Sequence, residues 1–110
     1  MKVYVPKAGD VVWLEFSPQA GYEQAGHRPA LVLSKRTYNE KTGLGIFCPI
    51  TSRVKGYPFE VLLKGKKISG AILSDQVKSL DWRARNVKFV EKSGEAVLQE
   101  VISKVMVIID

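Results

Sequence analysis

A chain of 110 residues with 45% hydrophobic and 25% charged side chains suits one globular domain spanning 1–110, and its single cysteine, Cys48, excludes an internal disulfide framework and a cysteine-based zinc site. The net charge of +6 is unevenly spread: residues 1–90 hold 15 Lys and Arg against 7 Asp and Glu, while residues 91–110 hold 2 against 4. A basic body of this kind suits a polyanionic partner, with nucleic acid the leading candidate.

In chain order, Ala8-Gly9-Asp10 is a turn signal ahead of a first strand over residues 11–16, closed by Pro18. A polar loop over residues 21–29 then brings a carboxylate, an amide, an imidazole and a guanidinium together before the apolar strand of residues 30–34. Residues 35–43 have room for one helical turn. A strand over 44–50 follows, with Cys48 in the apolar run Ile46-Phe47-Cys48 as a small buried hydrophobe. A second polar loop, 51–58, precedes a strand over 59–63 and a tight basic turn over 64–67. Residues 68–80 supply one or two more strands, broken near Gly70. Five or so short strands at this spacing suggest a small barrel or a strongly bent sheet rather than βαβ units.

The period then changes. Val97, Leu98, Val101, Ile102, Val105 and Met106 recur at helical spacing, with Ser93 as the expected N-cap and Glu95 in the first turn. Residues 105–109 are apolar on every face, so they are either buried beneath the barrel or part of a subunit interface. No N-terminal stretch resembles a signal peptide and no span approaches membrane length, so a cytoplasmic protein without a membrane partner is expected.

Among the polar residues, Arg28 stands out at the junction of loop and strand, with Pro29 biasing its backbone toward extended geometry. Its guanidinium is a planar fork of donors matched to phosphate oxygens; the alternative is a surface ion pair with Glu23 or Asp75. Thr51 and Ser52 offer hydroxyls at a strand end, either as phosphate donors or as a turn cap. Arg53, Lys55 and Tyr57 in the same loop mix phosphate-neutralising charge with a stacking ring, as single-stranded RNA grooves do. Lys78, Arg83 and Arg85, with Trp82 between them, repeat that mixture. No Walker-type or G-x-S-x-G glycine loop is present, and the lone His27 with scattered carboxylates does not make a metal site.

Several segments are collinear with a known family. Gly9-Asp10-Val11-Val12-Trp13, the run of residues 23–34 from Glu23 through Arg28-Pro29 to Ser34, Pro49-Ile50-Thr51, Lys55-Gly56-Tyr57-Pro58-Phe59-Glu60-Val61, and Ser74-Asp75-Gln76-Val77-Lys78-Ser79 running on to Trp82-Arg83-Ala84-Arg85 resemble the MazF/PemK (Kid) toxins of toxin–antitoxin modules, closest to the MazF branch. The resemblance covers almost the whole chain. It implies a mainly β, SH3-like PemK-type barrel with a C-terminal helix, acting as a homodimer. It also implies a metal-independent, cofactor-free endoribonuclease that cuts single-stranded RNA at a short sequence, leaving a 2′,3′-cyclic phosphate and a 5′-hydroxyl. The implied partner is a cognate, MazE-like antitoxin whose acidic, disordered tail blocks the RNA site.

By the same resemblance Arg28 and Thr51 match the principal catalytic pair, and Glu23 matches a glutamate whose loss inactivates MazF-like toxins. The PemK branch emphasises a histidine where this chain has Tyr22 and an arginine where it has Leu73; only Asp75 of that set is kept, so the PemK proton-transfer scheme does not carry over. Substrate contacts are expected from Tyr22, Gln24, Ser52, Arg53, Lys55, Asp75, Gln76 and Lys78. A guanidinium holds its proton at any working pH, so Arg28 is suited to stabilising charge rather than to acid catalysis. Glu23 is the expected base, with His27 as the other candidate general acid or base. The competing readings are a CcdB-like, non-enzymatic toxin that binds DNA gyrase and a non-catalytic RNA-binding barrel.

Overall fold

In the first strand Val11 and Val12, one after the other, are both fully buried, although side chains of neighbouring strand residues point to opposite faces. Both faces of the sheet are therefore covered, and the apolar residues fall into two clusters. Val11, Leu31, Cys48, Ile50, Val61, Leu63 and Ile72 form one with Leu98, Val101 and Val105 of the C-terminal helix. Val12, Leu14, Phe16, Ala30, Val32, Phe47, Leu80 and Trp82 form the other.

The computed structural model describes residues 3–16 and 26–109. Seven strands, β1 (Asp10–Glu15), β2 (His27–Val32), β3 (Leu44–Thr51), β4 (Glu60–Lys64), β5 (Ser69–Leu73), β6 (Lys78–Asp81) and β7 (Lys88–Lys92), join two helices, α1 (Arg36–Thr42) and α2 (Glu95–Ile109). The sheet is antiparallel in the order β4-β5-β3-β2-β1-β7, with β6 also paired to β3. The result is a mainly β half-barrel with a C-terminal helix, where the resemblance implied a barrel with such a helix.

β3 is the central strand because it turns from one set of partners to another along its length. Leu44 to Phe47 pair with β6, Phe47 to Pro49 pair with β2, and Ile50 and Thr51 pair with β5. Pro49 has no N–H to give the ladder and marks the changeover. Between β5 and β6 one 3-10 turn, Ser74–Gln76, packs against α2 and lifts Asp75 and Gln76 out of the sheet.

Five details differ from the sequence reading. β2 starts at His27, not residue 30, because the extended backbone that Pro29 favours lets residues 27–29 pair with β1. The break in residues 68–80 falls at Ser74–Gln76 rather than near Gly70. β7 is an additional strand, polar and exposed at both ends. Ser93 is not the helix cap: its hydroxyl donates to the Gly94 carbonyl oxygen at 3.1 Å, and Gly94 itself accepts the first helical bond, from Leu98 N–H at 3.2 Å. α1 is also longer than the single turn expected. At the chain's end Val105 is buried, whereas Met106, Val107, Ile108 and Ile109 are exposed on the protomer. No helix among the described residues is long and apolar enough to cross a membrane.

The Gly9-Asp10 turn is structural. The Asp10 carboxylate is buried, accepts from Tyr4 Oη at 2.6 Å and Lys7 N–H at 3.1 Å, and pairs with Lys92 Nζ at 3.7 Å. Burial, with the Asp10 contact added, pushes the Tyr4 phenol far above its ordinary range.

Candidate nucleic-acid interface

Where β3 leaves the sheet, the chain opens a cleft of about 380 Å³. Thr51, Arg53, Lys55 and Tyr57 line it from the β3–β4 side, Glu60 from the start of β4, and Leu73, Asp75 and Gln76 from the end of β5 and the turn that follows. Six residues expected at an RNA site, Thr51, Arg53, Lys55, Tyr57, Asp75 and Gln76, are thus collected from two separate segments. Lys55 Nζ lies 5.9 Å from the centre of the Tyr57 ring, which is 60% exposed and so has a face open to a base.

Thr51 is buried, and its Oγ1 accepts from the Arg53 N–H at 3.1 Å. The two readings of this residue are therefore compatible. The hydroxyl caps the turn with a lone pair and keeps its own proton to donate. Ser52 and Arg53 are exposed beside it.

Arg28 is exposed in β2 and pairs with Leu14 of β1. The β2–β3 register pairs Ala30 with Pro49. That pair ends the β2–β3 ladder: Arg28 stands two residues outside it on β2 and does not line the cleft, while Thr51, two residues past Pro49, pairs with Ala71 of β5. His27 pairs with Glu15, and its ring packs on Trp13 with centroids 5.2 Å apart. Lys78 sits in β6 opposite Phe47 and does not line the cleft. Tyr22, Glu23 and Gln24 lie outside the described residues. Among the described residues no three His, Cys, Asp or Glu side chains form a metal-ligand group.

The Asp75 carboxylate also acts inward. Burial first, and the Asp75 charge second, push the Cys48 thiol up to about 12. Cys48 is buried, as its apolar run implied.

One expected interface element is corrected. Trp82 is 1% exposed and belongs to the core, with its indole Nε1 donating to the Asn39 carbonyl at 3.1 Å, so it offers no face to a base. Arg83 stacks on it from outside, 4.9 Å from the ring centre, and Arg85 Nη1 donates to the Glu15 carbonyl at 2.9 Å. The sequence reading missed Glu60 as a cleft residue, having taken it only as part of a strand. The available signal was a carboxylate four residues beyond Gly56, where a turn leaves backbone N–H groups in need of an acceptor.

A basic half-barrel with a polar cleft beside its central strand defines a class, and comparison with known proteins gives the family. The sequence profile of the PemK-like, MazF-like toxins of type II toxin–antitoxin systems matches residues 7–109. The chain is 49% identical over 106 residues to the endoribonuclease toxin MazF of Escherichia coli, covering 96% of each. Its fold matches the crystal structure of MazF from Deinococcus radiodurans with a TM-score of 0.94 at 52% identity, over 97% of this chain and 98% of that one. It matches a chain of the MazE–MazF complex of the same organism with a TM-score of 0.86 at 46% identity, over 97% of each. The protein belongs to the PemK-like, MazF-like toxin family.

Proposed function

We propose that this protein is an endoribonuclease toxin that cuts single-stranded RNA and is restrained by a MazE-like antitoxin. The observation that carries the reading is the 49% identity, over 96% of both chains, to an endoribonuclease toxin. The cleft supports it, because Thr51, Arg53, Lys55 and Tyr57 supply a hydroxyl, two cations and a ring around a space that holds a nucleotide-sized group. The same identity favours this reading over a gyrase-binding toxin or a passive RNA-binding barrel. The whole chain acts as one cytoplasmic toxin domain, paired as a homodimer.

In the reaction the ribose 2′-oxygen loses its proton to a base and bonds to the adjacent phosphorus. The bond from phosphorus to the 5′-oxygen breaks, and that oxygen takes a proton from water. The products are a 2′,3′-cyclic phosphate and a 5′-hydroxyl, and no protein nucleophile is needed. Charge gathers on the nonbridging oxygens, where Arg28 and the Thr51 hydroxyl act as donors. Glu23 is the base, ahead of His27, whose packing on Trp13 suits it to holding the start of β2. Ser52, Arg53, Lys55, Gln76 and Lys78 bind phosphate or base edges, with Tyr22, Gln24 and Asp75 completing the substrate contacts.

The test is incubation of the purified protein with mixed-sequence single-stranded RNA in EDTA, followed by mapping of the cut ends. Cyclic-phosphate and 5′-hydroxyl termini are expected. Activity that vanishes in EDTA and returns with magnesium would overturn the metal-independent scheme, and intact RNA would overturn the enzymatic reading.

A further inference from the structure

The loop between β3 and β4 carries the cations and the ring of the cleft, and two side chains outside the proposed chemistry fasten it. Glu60, the first residue of β4, turns its carboxylate back over the loop. Oε1 accepts from Gly56 N–H at 2.9 Å, and the two oxygens lie 3.2 and 3.3 Å from Lys55 N. Gly56 has φ of 81°, the left-handed conformation that turns successive N–H groups toward a common acceptor. From the opposite side Lys104 of α2 donates its ammonium to the Pro58 carbonyl at 2.6 Å and the Glu60 carbonyl at 3.2 Å. The Lys104 side chain is 29% exposed, and Glu100, one turn earlier, lies 3.8 Å away, so the cation is held on its own helix as well.

The two contacts divide the loop. Thr51 stands in the sheet, whereas Arg53, Lys55 and Tyr57 follow it in exposed backbone. Their position depends on a carboxylate at the loop's far end and on a cation from a helix that itself contributes no residue to the cleft. We propose that Glu60 and Lys104 are a two-part latch by which the C-terminal helix positions the Arg53, Lys55 and Tyr57 arm for RNA binding. This inference rests on the RNA-cleaving reading above. Both are positioning residues, acting through the loop backbone. With the latch open, substrate has to order the loop itself, which weakens binding and leaves the chemical step at Arg28 and Thr51 nearly untouched.

The experiment compares Lys104→Met, Lys104→Arg and Glu60→Ala with the parent protein. Two readouts are used: steady-state cleavage of mixed-sequence single-stranded RNA, and backbone amide exchange without RNA. Lys104→Met and Glu60→Ala should raise KM on the order of tenfold with kcat within about twofold, the pattern of lost ground-state binding. Lys104→Arg keeps donors for both carbonyls and should recover most of the loss. The Lys55 and Gly56 amides should lose protection in Glu60→Ala and Lys104→Met, while those of Leu31 and Ile72 in the core stay protected. A fall in kcat at constant KM, or unchanged Lys55 and Gly56 exchange, would overturn the latch. Tighter RNA binding by Glu60→Ala would overturn it too, since the carboxylate would then be competing with phosphate for those N–H groups. If the parent protein cuts no RNA, the functional reading fails alone, and amide exchange still decides whether the latch exists.

Discussion

Gly70 lies directly against Thr51: a Cβ built on Gly70 would collide with the Thr51 carbonyl oxygen. The close approach follows from the pairing of Thr51 with Ala71, which sets the β5 backbone beside the end of β3. Gly70→Ala must therefore move either β5 or the residue that presents the candidate hydroxyl. We expect a loss of about 1–3 kcal/mol of stability, as for other overpacked sites. The cleavage rate under conditions where the variant is fully folded should fall as well. Denaturant titration and single-turnover cleavage check both, and a normal rate would mean that Thr51 does not have to stay in place.

Arg28→Ala should lower the rate roughly 100-fold or more, a loss of several kcal/mol of transition-state stabilisation. Arg28→Lys should recover little, because an ammonium lacks the planar fork that meets two phosphate oxygens. Thr51→Ala should be milder and act on kcat. Near-full activity in Arg28→Lys, measured by single-turnover kinetics, would show that charge alone suffices and that the planar fork is incidental.

How far the sequence revealed these features depended on whether neighbouring residues carried a clear apolar or polar pattern. Residues 44–50 and 59–63 were legible as strands because their apolar runs are bounded by turn residues, and the observed strands, Leu44–Thr51 and Glu60–Lys64, depart from them by no more than one residue at either end. Residues 88–92 were not: Lys88-Phe89-Val90-Glu91-Lys92 alternates weakly and pairs along one edge only, with β1. Asn39 was invisible for the opposite reason. It is a polar residue in a polar segment, yet it is fully buried, with Nδ2 donating to the Pro6 carbonyl at 2.7 Å. Trp82 looked like a stacking platform because arginines flank it, and only the structure shows its ring turned into the core. Arg28 and Thr51 were legible through family resemblance, whereas the passage of β3 from β2 to β5 between Pro49 and Ile50 needed the strand register.

Glu91 gives a pH dependence whose direction can be worked out. Its carboxylate accepts from the backbone N–H of Ile68 at 2.9 Å and of Lys67 and Lys66 at 3.0 Å each. Those bonds, Ile68 foremost, hold its pKa below the usual carboxylate value, while partial desolvation opposes them. A carboxyl group with a lowered folded-state pKa contributes stability at neutral pH that is lost as pH falls through that value. Glu91→Gln should therefore be less stable than the parent at about pH 7, with the gap closing as pH falls through the lowered value. A gap that stays constant across urea titrations at several pH values would show that the turn is indifferent to the charge.

Cys48 should be inert in the folded protein. Its thiol is buried and pushed up to about 12, so the reactive thiolate is scarce near neutral pH. A thiol reagent added at about pH 8 should label it only at the rate of unfolding, and fully in denaturant. Prompt labelling of native protein would reveal an opening near Asp75 that the packed structure does not have.

The exposed end of α2 supplies the test of assembly. Val107 and Ile109 are each 71% exposed on the protomer, and Met106 and Ile108 are about half exposed beside them. Nearby, Leu33, Ile46, Ile102, Val105 and Met106 line a shallow, mostly apolar depression. A second copy related by a two-fold axis covers such a surface with the same surface, so each protomer supplies both halves of the contact. Val107→Glu and Ile109→Glu place charge where the isolated protomer already meets water, so folding should be unaffected. Burying the same charge between two copies without a partner is costly, and the dimer should dissociate. Light scattering at micromolar concentration should show the parent as a dimer and the double variant as a monomer with unchanged circular dichroism. A parent protein that scatters as a monomer, or a double variant that remains dimeric, would remove the α2 end from the interface.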